Sequence, residues 1–192
     1  DKPLIFYPLS TLMLMGINDI IIVTNKDDQN QFLKLLGDGT KFGVSIKFVI
    51  QKEVNGLADA FLTCEKYAKD QNTAVILGDN IFYGHDLVKQ LVSAQKNMNG
   101  ATLFAYPVND PQRYGVIEFE KTFIVKRIIE KPQLTDSKYA TTGLYLYDEK
   151  AFQYIKNLSP SDRGELELTD LNNIYLKEKD LKVEILGRGM TW

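Results

Sequence analysis

Residues Ala74–His85 read Ala-Val-Ile-Leu-Gly-Asp-Asn-Ile-Phe-Tyr-Gly-His. The first four form an apolar run suited to a buried strand. Gly78 ends the run, and Asp79 and Asn80 follow at once. A carboxylate just past the carboxyl end of a strand stands where open α/β sheets keep their ligands. Such a group suits a hard cation such as Mg2+, which takes oxygen ligands and retains several waters. Composition by itself favours a plain turn, because Gly, Asp and Asn are all preferred there and need no ligand to explain them. What surrounds the stretch has to separate the two readings.

Upstream, Leu4–Met15 has helical apolar spacing, with Pro8 in the first turn and Gly16 as a C-cap. Asp19–Thr24 is a β-branched run expected to be a buried parallel strand. A helix over Asp28–Leu36 and a strand over Ser45–Gln51 follow. Leu57–Lys69 then reads as one helix, with Leu57, Phe61, Cys64 and Ala68 on one face. Downstream come a helix over Asp86–Met98 and a strand over Thr102–Tyr106. This alternation argues for a parallel sheet with right-handed crossovers. The pattern then changes. Tyr114–Phe119, Phe123–Glu130 and Tyr139–Tyr147 read as strands of a more antiparallel section. Helices over Ala151–Leu158 and Glu167–Glu178 and a strand over Leu181–Leu186 close the chain. With no repeat or linker, residues 1–192 read as one domain. Its class is α/β: a Rossmann-like, mostly parallel sheet flanked by helices, with an added antiparallel section.

The 192 residues are 44% hydrophobic, enough for a sizeable core. Twenty-three Lys and Arg against 25 Asp and Glu give a net charge of −2. That balance offers no footprint for nucleic acid or an anionic membrane surface. Charged residues interrupt every apolar run before it reaches membrane-spanning length. The single cysteine, Cys64, leaves no internal disulfide and fits a reducing, cytoplasmic setting. The single histidine, His85, has no second His or Cys nearby for zinc and reads as a loop or cap residue. The chain contains neither a serine-nucleophile elbow nor the common glycine-rich phosphate loops.

Four further places combine a strand end with polar or glycine residues. Gln51 ends a strand, and Asn55-Gly56-Leu57 opens a helix. A Gln amide matches the edge of a base, and a helix start offers free N–H groups; a solvated loop is the plainer alternative. In Arg113-Tyr114-Gly115, a glycine admits a ligand to the backbone and a Tyr can cover a sugar ring, or the triplet is a bulge. Glu130-Lys131-Pro132 pairs an acceptor for hydroxyls with a point charge for phosphate, or is a surface ion pair. Arg163-Gly164-Glu165-Leu166-Glu167 most simply precedes a helix.

Together these places decide the reading of Asp79. Leu77–His85, Gln51, Gly56-Leu57-Ala58, Arg113–Val116, Glu130-Lys131-Pro132, Thr142-Gly143-Leu144-Tyr145 and Arg163–Glu167 resemble, in order and in register, the glucose-1-phosphate thymidylyltransferase (dTDP-glucose pyrophosphorylase) family. The resemblance implies a fold of the nucleotide-diphospho-sugar transferase type. It implies thymidylyl transfer from dTTP to glucose-1-phosphate, giving dTDP-glucose and pyrophosphate, with Mg2+ as cofactor. Carried over residue by residue, Gln51 and Gly56 read the thymine. Asp79 binds Mg2+ and Lys131 neutralises the sugar phosphate. Tyr114 and Gly115 contact the glucose, Glu130 takes its hydroxyls, and Thr141 lines the pocket. A homotetramer is implied as well. Such in-line transfer needs positioning and charge neutralisation rather than a nucleophile, which suits a chain with one His and one Cys.

Parts of the family pattern are not in these 192 residues. The family's glycine-rich strand-loop, which cradles the triphosphate, precedes the stretch matching Asp1. A Leu-Asp-Thr-Gly segment carrying a second Mg2+ ligand follows the match to Trp192, and a C-terminal helical part comes after it. The resemblance thus implies a chain that keeps the sugar and base contacts and one metal ligand, and is inactive alone. Two rival readings stand beside it: a non-catalytic nucleotide-sugar binding or regulatory module on the same fold, and a related uridylyltransferase.

Overall fold

Tyr139–Tyr147, Tyr-Ala-Thr-Thr-Gly-Leu-Tyr-Leu-Tyr, is the strand on which the main sheet is assembled, and all but its first residue are buried. The computed structural model describes residues 2–192. In chain order the elements are α1 Phe6–Leu14, β1 Asp19–Thr24, α2 Gln29–Leu36, β2 Ser45–Ile50, α3 Leu57–Leu62, α4 Glu65–Ala68, β3 Thr73–Ile76, β4 Tyr83–Gly84 and α5 Leu87–Lys96. They continue with β5 Ala101–Pro107, β6 Gly115–Phe119, β7 Val125–Glu130, β8 Tyr139–Tyr147, α6 Ala151–Ile155, α7 Leu168–Lys177, β9 Leu181–Ile185 and β10 Met190–Thr191.

β8 lies between β5 and β3 and is antiparallel to both, pairing Tyr147 with Ala101 on one side and with Thr73 on the other. β9 extends the sheet parallel to β5, and the β6–β7 hairpin joins through Val116 opposite Ala140. β1 and β2 form a separate parallel pair. The α/β class with an antiparallel section is as the sequence implies, but the pairing carries a correction. β3, read from the alternation as a parallel strand, is antiparallel to β8, because a strand of the late section inserts between β3 and β5. The helix expected over Leu57–Lys69 is also two helices. Thr63 breaks it, its hydroxyl donating to Ala60 O at 2.6 Å in competition with the helical ladder. The sequence reading did not anticipate the β4–β10 ribbon, in which Gly84 has no room for a Cβ against Gly189.

Alternation along the sheet divides the core. Leu103, Ala105, Tyr145 and Tyr147 face α3, α6 and α7, packing with Phe61, Phe152 and Leu171. Phe104, Leu144 and Leu146 face α5, packing with Leu87 and Leu91. A third cluster joins α1 and α2 to β1 and β2 through Leu9, Leu12, Ile20, Leu36 and Ile46. Each such aliphatic side chain contributes about 1.5–3 kcal/mol on burial. Two tyrosines of the core are paired: Tyr147 Oη donates to Asn172 Oδ1 at 2.7 Å and Tyr175 Oη to Asp148 Oδ1 at 2.5 Å. Between β1 and β3 lies a cavity of about 1050 Å³. No helix among the described residues is long and apolar enough to cross a membrane.

Candidate active site

β3 delivers Asp79. The chain turns directly after it, with Asn80 N–H donating to Leu77 O at 3.1 Å. The stretch is therefore both the turn its composition fits and the mount for a carboxylate. Asn80 is buried. Its Nδ2 donates to Asp79 Oδ1 at 2.7 Å, while its Oδ1 accepts from Gly143 N–H at 3.0 Å and from Trp192 Nε1–H. A Cβ at Gly143 would stand 2.5 Å from Asn80 Oδ1, so β8 needs glycine there to let Asn80 close on it. Asp79 itself is exposed.

A second group forms where the β6–β7 hairpin meets β8. The register sets Gly115 opposite Glu130, and Lys131 N–H donates to Tyr114 O at 3.0 Å. Thr141 Oγ1 donates to Gly115 O at 3.2 Å. A Cβ at Gly115 would meet Thr141 Oγ1 at 2.7 Å, Thr169 Oγ1 at 3.2 Å and Glu130 Oε2 at 3.4 Å. Four predicted positions therefore converge on one small space: Tyr114, Gly115, Glu130 and Thr141. Glu130 is held from both sides, by Thr169 Oγ1 at 2.5 Å and by Arg163 Nη1 at 3.5 Å. Lys131 has φ +40°, a strained value for a non-glycine residue, and its ammonium stands 3.9 Å from Glu130 Oε1.

Trp192 bridges the two groups. Its ring packs edge-on against Tyr114 at 5.2 Å and Tyr106 at 6.2 Å, while its N–H reaches Asn80. Contacts thus link Asp79, Asn80, Trp192, Tyr114, Gly115, Thr141 and Glu130 into one polar-aromatic group along β8, the candidate cleft. Burial and the nearby Glu130 charge push the Asp170 carboxyl up. Burial likewise raises Glu167, against the pull of Ser161, and takes the Tyr145 phenol up to about 12.

Gln51 and Gly56 make no hydrogen bond to that cleft. Gln51 Nε2 donates to Asp59 Oδ2 at 2.8 Å and to Gly56 O at 3.3 Å. Gly56 has φ +104°, and a Cβ there would stand 2.5 Å from Leu166 O, so its glycine is accounted for by packing against the Arg163–Glu167 segment. Gln51 does share the large cavity with Leu77 and Gly78. His85 is exposed beside Asp86, and the Cys64 thiol is buried and pushed up, so neither is a poised base or nucleophile. Sequence reasoning missed Asn80 as the clamp on Asp79, Thr169 as a partner of Glu130, and Trp192. Only Trp192 carried a signal, as the one tryptophan of the chain.

Among the described residues no group of three or more His, Cys, Asp or Glu could hold a metal. Mg2+ asks for less: one or two carboxylates, with waters and substrate phosphates completing its shell. Asp79 fits that demand, since Asn80 orients Oδ1 and no described residue bonds Oδ2.

The class of protein follows from the family model for nucleotidyl transferases, which matches residues 1–192 of this α/β chain. A glucose-1-phosphate thymidylyltransferase of Neisseria meningitidis is 50% identical over all 192 residues, which span 67% of that relative. One of Xanthomonas campestris pv. campestris is also 50% identical, with 65% of its length spanned. Among solved structures, a Bacillus anthracis protein described as a glucose-1-phosphate thymidylyltransferase in complex with sucrose superposes with a TM-score of 0.89 at 39% identity. That match covers 99% of this chain and 76% of the other. A UDP-glucose pyrophosphorylase complexed with UDP-glucose superposes at 0.82 with 25% identity, covering 97% and 79%. The chain belongs to the glucose-1-phosphate thymidylyltransferase family of nucleotidyl transferases. It spans about two thirds of the length of these curated relatives.

Proposed function

We propose that this chain forms the sugar-binding side of an enzyme that transfers a thymidylyl group from dTTP to glucose-1-phosphate, giving dTDP-glucose and pyrophosphate. The observation that carries the reading is the convergence of Asp79, Tyr114, Gly115, Glu130 and Thr141 on one cleft. Glu130, fixed by Thr169 and Arg163, accepts from sugar hydroxyls, and Tyr114 and Trp192 offer aromatic rings to the sugar. The Lys131 ammonium is a point charge for the sugar phosphate. Asp79 would hold Mg2+, which when bound neutralises charge on the transferring phosphate. No base is needed, because the sugar phosphate is already ionised. Gln51 and Gly56 are assigned to the thymine edge on resemblance alone. The same resemblance supports a cytoplasmic homotetramer whose product enters deoxysugar synthesis of the dTDP-rhamnose kind.

Pyrophosphate release from dTTP and glucose-1-phosphate tests the reaction. The 192-residue chain alone gives negligible turnover, and fusion to the unmatched parts of the Neisseria meningitidis relative restores it. Fused protein that folds but does not turn over contradicts the reading. A nucleotide panel separates the uridylyl alternative, since a preference for UTP over dTTP would favour it.

A further inference from the structure

An Asn or Asp side chain followed by Gly can close on the next backbone nitrogen, because glycine puts no side chain in the way. The chain has three such pairs: Asp38-Gly39, Asn55-Gly56 and Asn99-Gly100. Their surroundings differ. Asp38 is a poor electrophile: its Oδ1 accepts from Thr40 N–H at 3.0 Å, which holds the carboxyl below its usual value and keeps it ionised. Gly100 is buried and wedged against Asp180, whose carbonyl a Cβ would overlap. The bonds on either side of it are made, from Asp148 N–H to Gly100 O at 3.0 Å and from Ala101 N–H to Asp180 O at 2.8 Å. Ring closure at Asn99 would have to move the start of β5.

Asn55-Gly56 has the opposite character. Residues 51–56 join β2 to α3 without regular structure. Asn55 is exposed, and neither its side-chain amide nor the Gly56 N–H has a partner among the described residues. The nucleophile and the electrophile are therefore both free. Asn55 O accepts from Leu166 N–H at 2.7 Å. A hydrogen bond polarises the groups it joins, so this one draws charge from the Asn55–Gly56 amide and makes its N–H more acidic. Asn99 O accepts no such backbone bond among the described residues.

We infer that Asn55-Gly56 is a site of spontaneous modification to isoaspartate. The Gly56 nitrogen loses its proton to solvent and bonds to Asn55 Cγ; the Cγ–Nδ2 bond breaks and ammonia leaves. Water then opens the five-membered imide. Opening at the main-chain carbonyl routes the backbone through Cβ and Cγ and gives isoaspartate, and opening at Cγ gives aspartate. The isoaspartate backbone is one carbon longer at a place with no slack. Ala58 N–H donates to Leu166 O at 3.1 Å, and a Cβ on Gly56 would already stand 2.5 Å from that same oxygen. The longer loop therefore releases the start of α3 from Leu166. Gly56 is the position assigned above to the thymine edge, so on that reading the change ages the base side of the site.

The test is to age the 192-residue chain in warm, mildly alkaline buffer and to map its peptides by mass spectrometry with fragmentation that tells isoaspartate from aspartate. Isoaspartate should accumulate at position 55 about tenfold faster than at position 99, and faster at alkaline than at neutral pH. Hydrogen exchange at Leu166 and Ala58 should be about tenfold faster in the aged chain. It should stay at the parent rate in fresh Asn55→Asp, which has the charge without the longer backbone. Modification at position 99 that matches or outruns position 55, isoaspartate at 55 with both amides unchanged, or the same acceleration in Asn55→Asp overturns the inference. No nucleotide or sugar enters the readout, so its failure and failure of the proposed reaction are distinguishable.

Discussion

Asn80 ties two distant parts of the chain to one carboxylate, accepting from β8 and Trp192 while donating to Asp79. Partners that orient a metal ligand are typically worth about 10–100-fold in metal affinity. Asn80→Ala is therefore expected to weaken Mn2+ binding, read by paramagnetic relaxation, by about tenfold or more, and Asp79→Asn to abolish it. Equal affinity in all three proteins would remove Asp79 from the metal site. Gly143→Ala places a methyl 2.5 Å from Asn80 Oδ1 and should reproduce the Asn80→Ala loss while far-UV circular dichroism stays native. The place of Asp79 just past a strand was legible in sequence because a strand and its end are local features. Its clamp was not, because Gly143 and Trp192 lie 63 and 112 positions away from Asn80. Thr169 escaped for the same reason, meeting Glu130 across 39 positions.

The β6–β7 hairpin carries Gly115 and Glu130, so its integrity bears on the cleft. Arg127 holds the Glu118 carboxylate by two bonds, at 2.7 and 3.1 Å, and pulls its pKa below the ordinary value. The folded pKa is lower than the unfolded one, so the pair's stabilisation is present above the usual carboxylate range and is lost as pH falls through the lowered value. Arg127→Gln should thus lower urea stability at pH 7, with the difference from the parent vanishing in strong acid; a difference that persists there would refute the linkage. In the α7 layer, Tyr147→Phe strands the buried Asn172 Oδ1 and should cost about 1–3 kcal/mol in the same assay. Most element positions were readable from apolar periodicity. The pairing of β3 was not, because strand direction depends on β8, which lies some seventy residues later and enters between β3 and β5. The split of the helix at Thr63 hid in a single hydroxyl.

At the scale of the molecule, three apolar clusters hold the β1–β2 pair and the six-stranded sheet on either side of the cavity between β1 and β3. The candidate cleft is built from β6, β7, β8 and the turn after β3, whereas Gln51 follows β2 and Gly56 packs against Leu166. The fold class and family were legible in sequence because the motifs keep their order along the chain. The separation of the β1–β2 pair from the six-stranded sheet was not legible, because apolar runs do not say which strands pair. The central claim is that the cleft along β8 binds the sugar nucleotide, and the only tryptophan, Trp192, sits in it against Tyr114. Titration of the chain with dTDP-glucose and Mg2+, followed by Trp192 fluorescence, tests this most directly. A saturable change that Gly115→Ala abolishes is the result predicted; binding detected by calorimetry with Trp192 emission unchanged would contradict it.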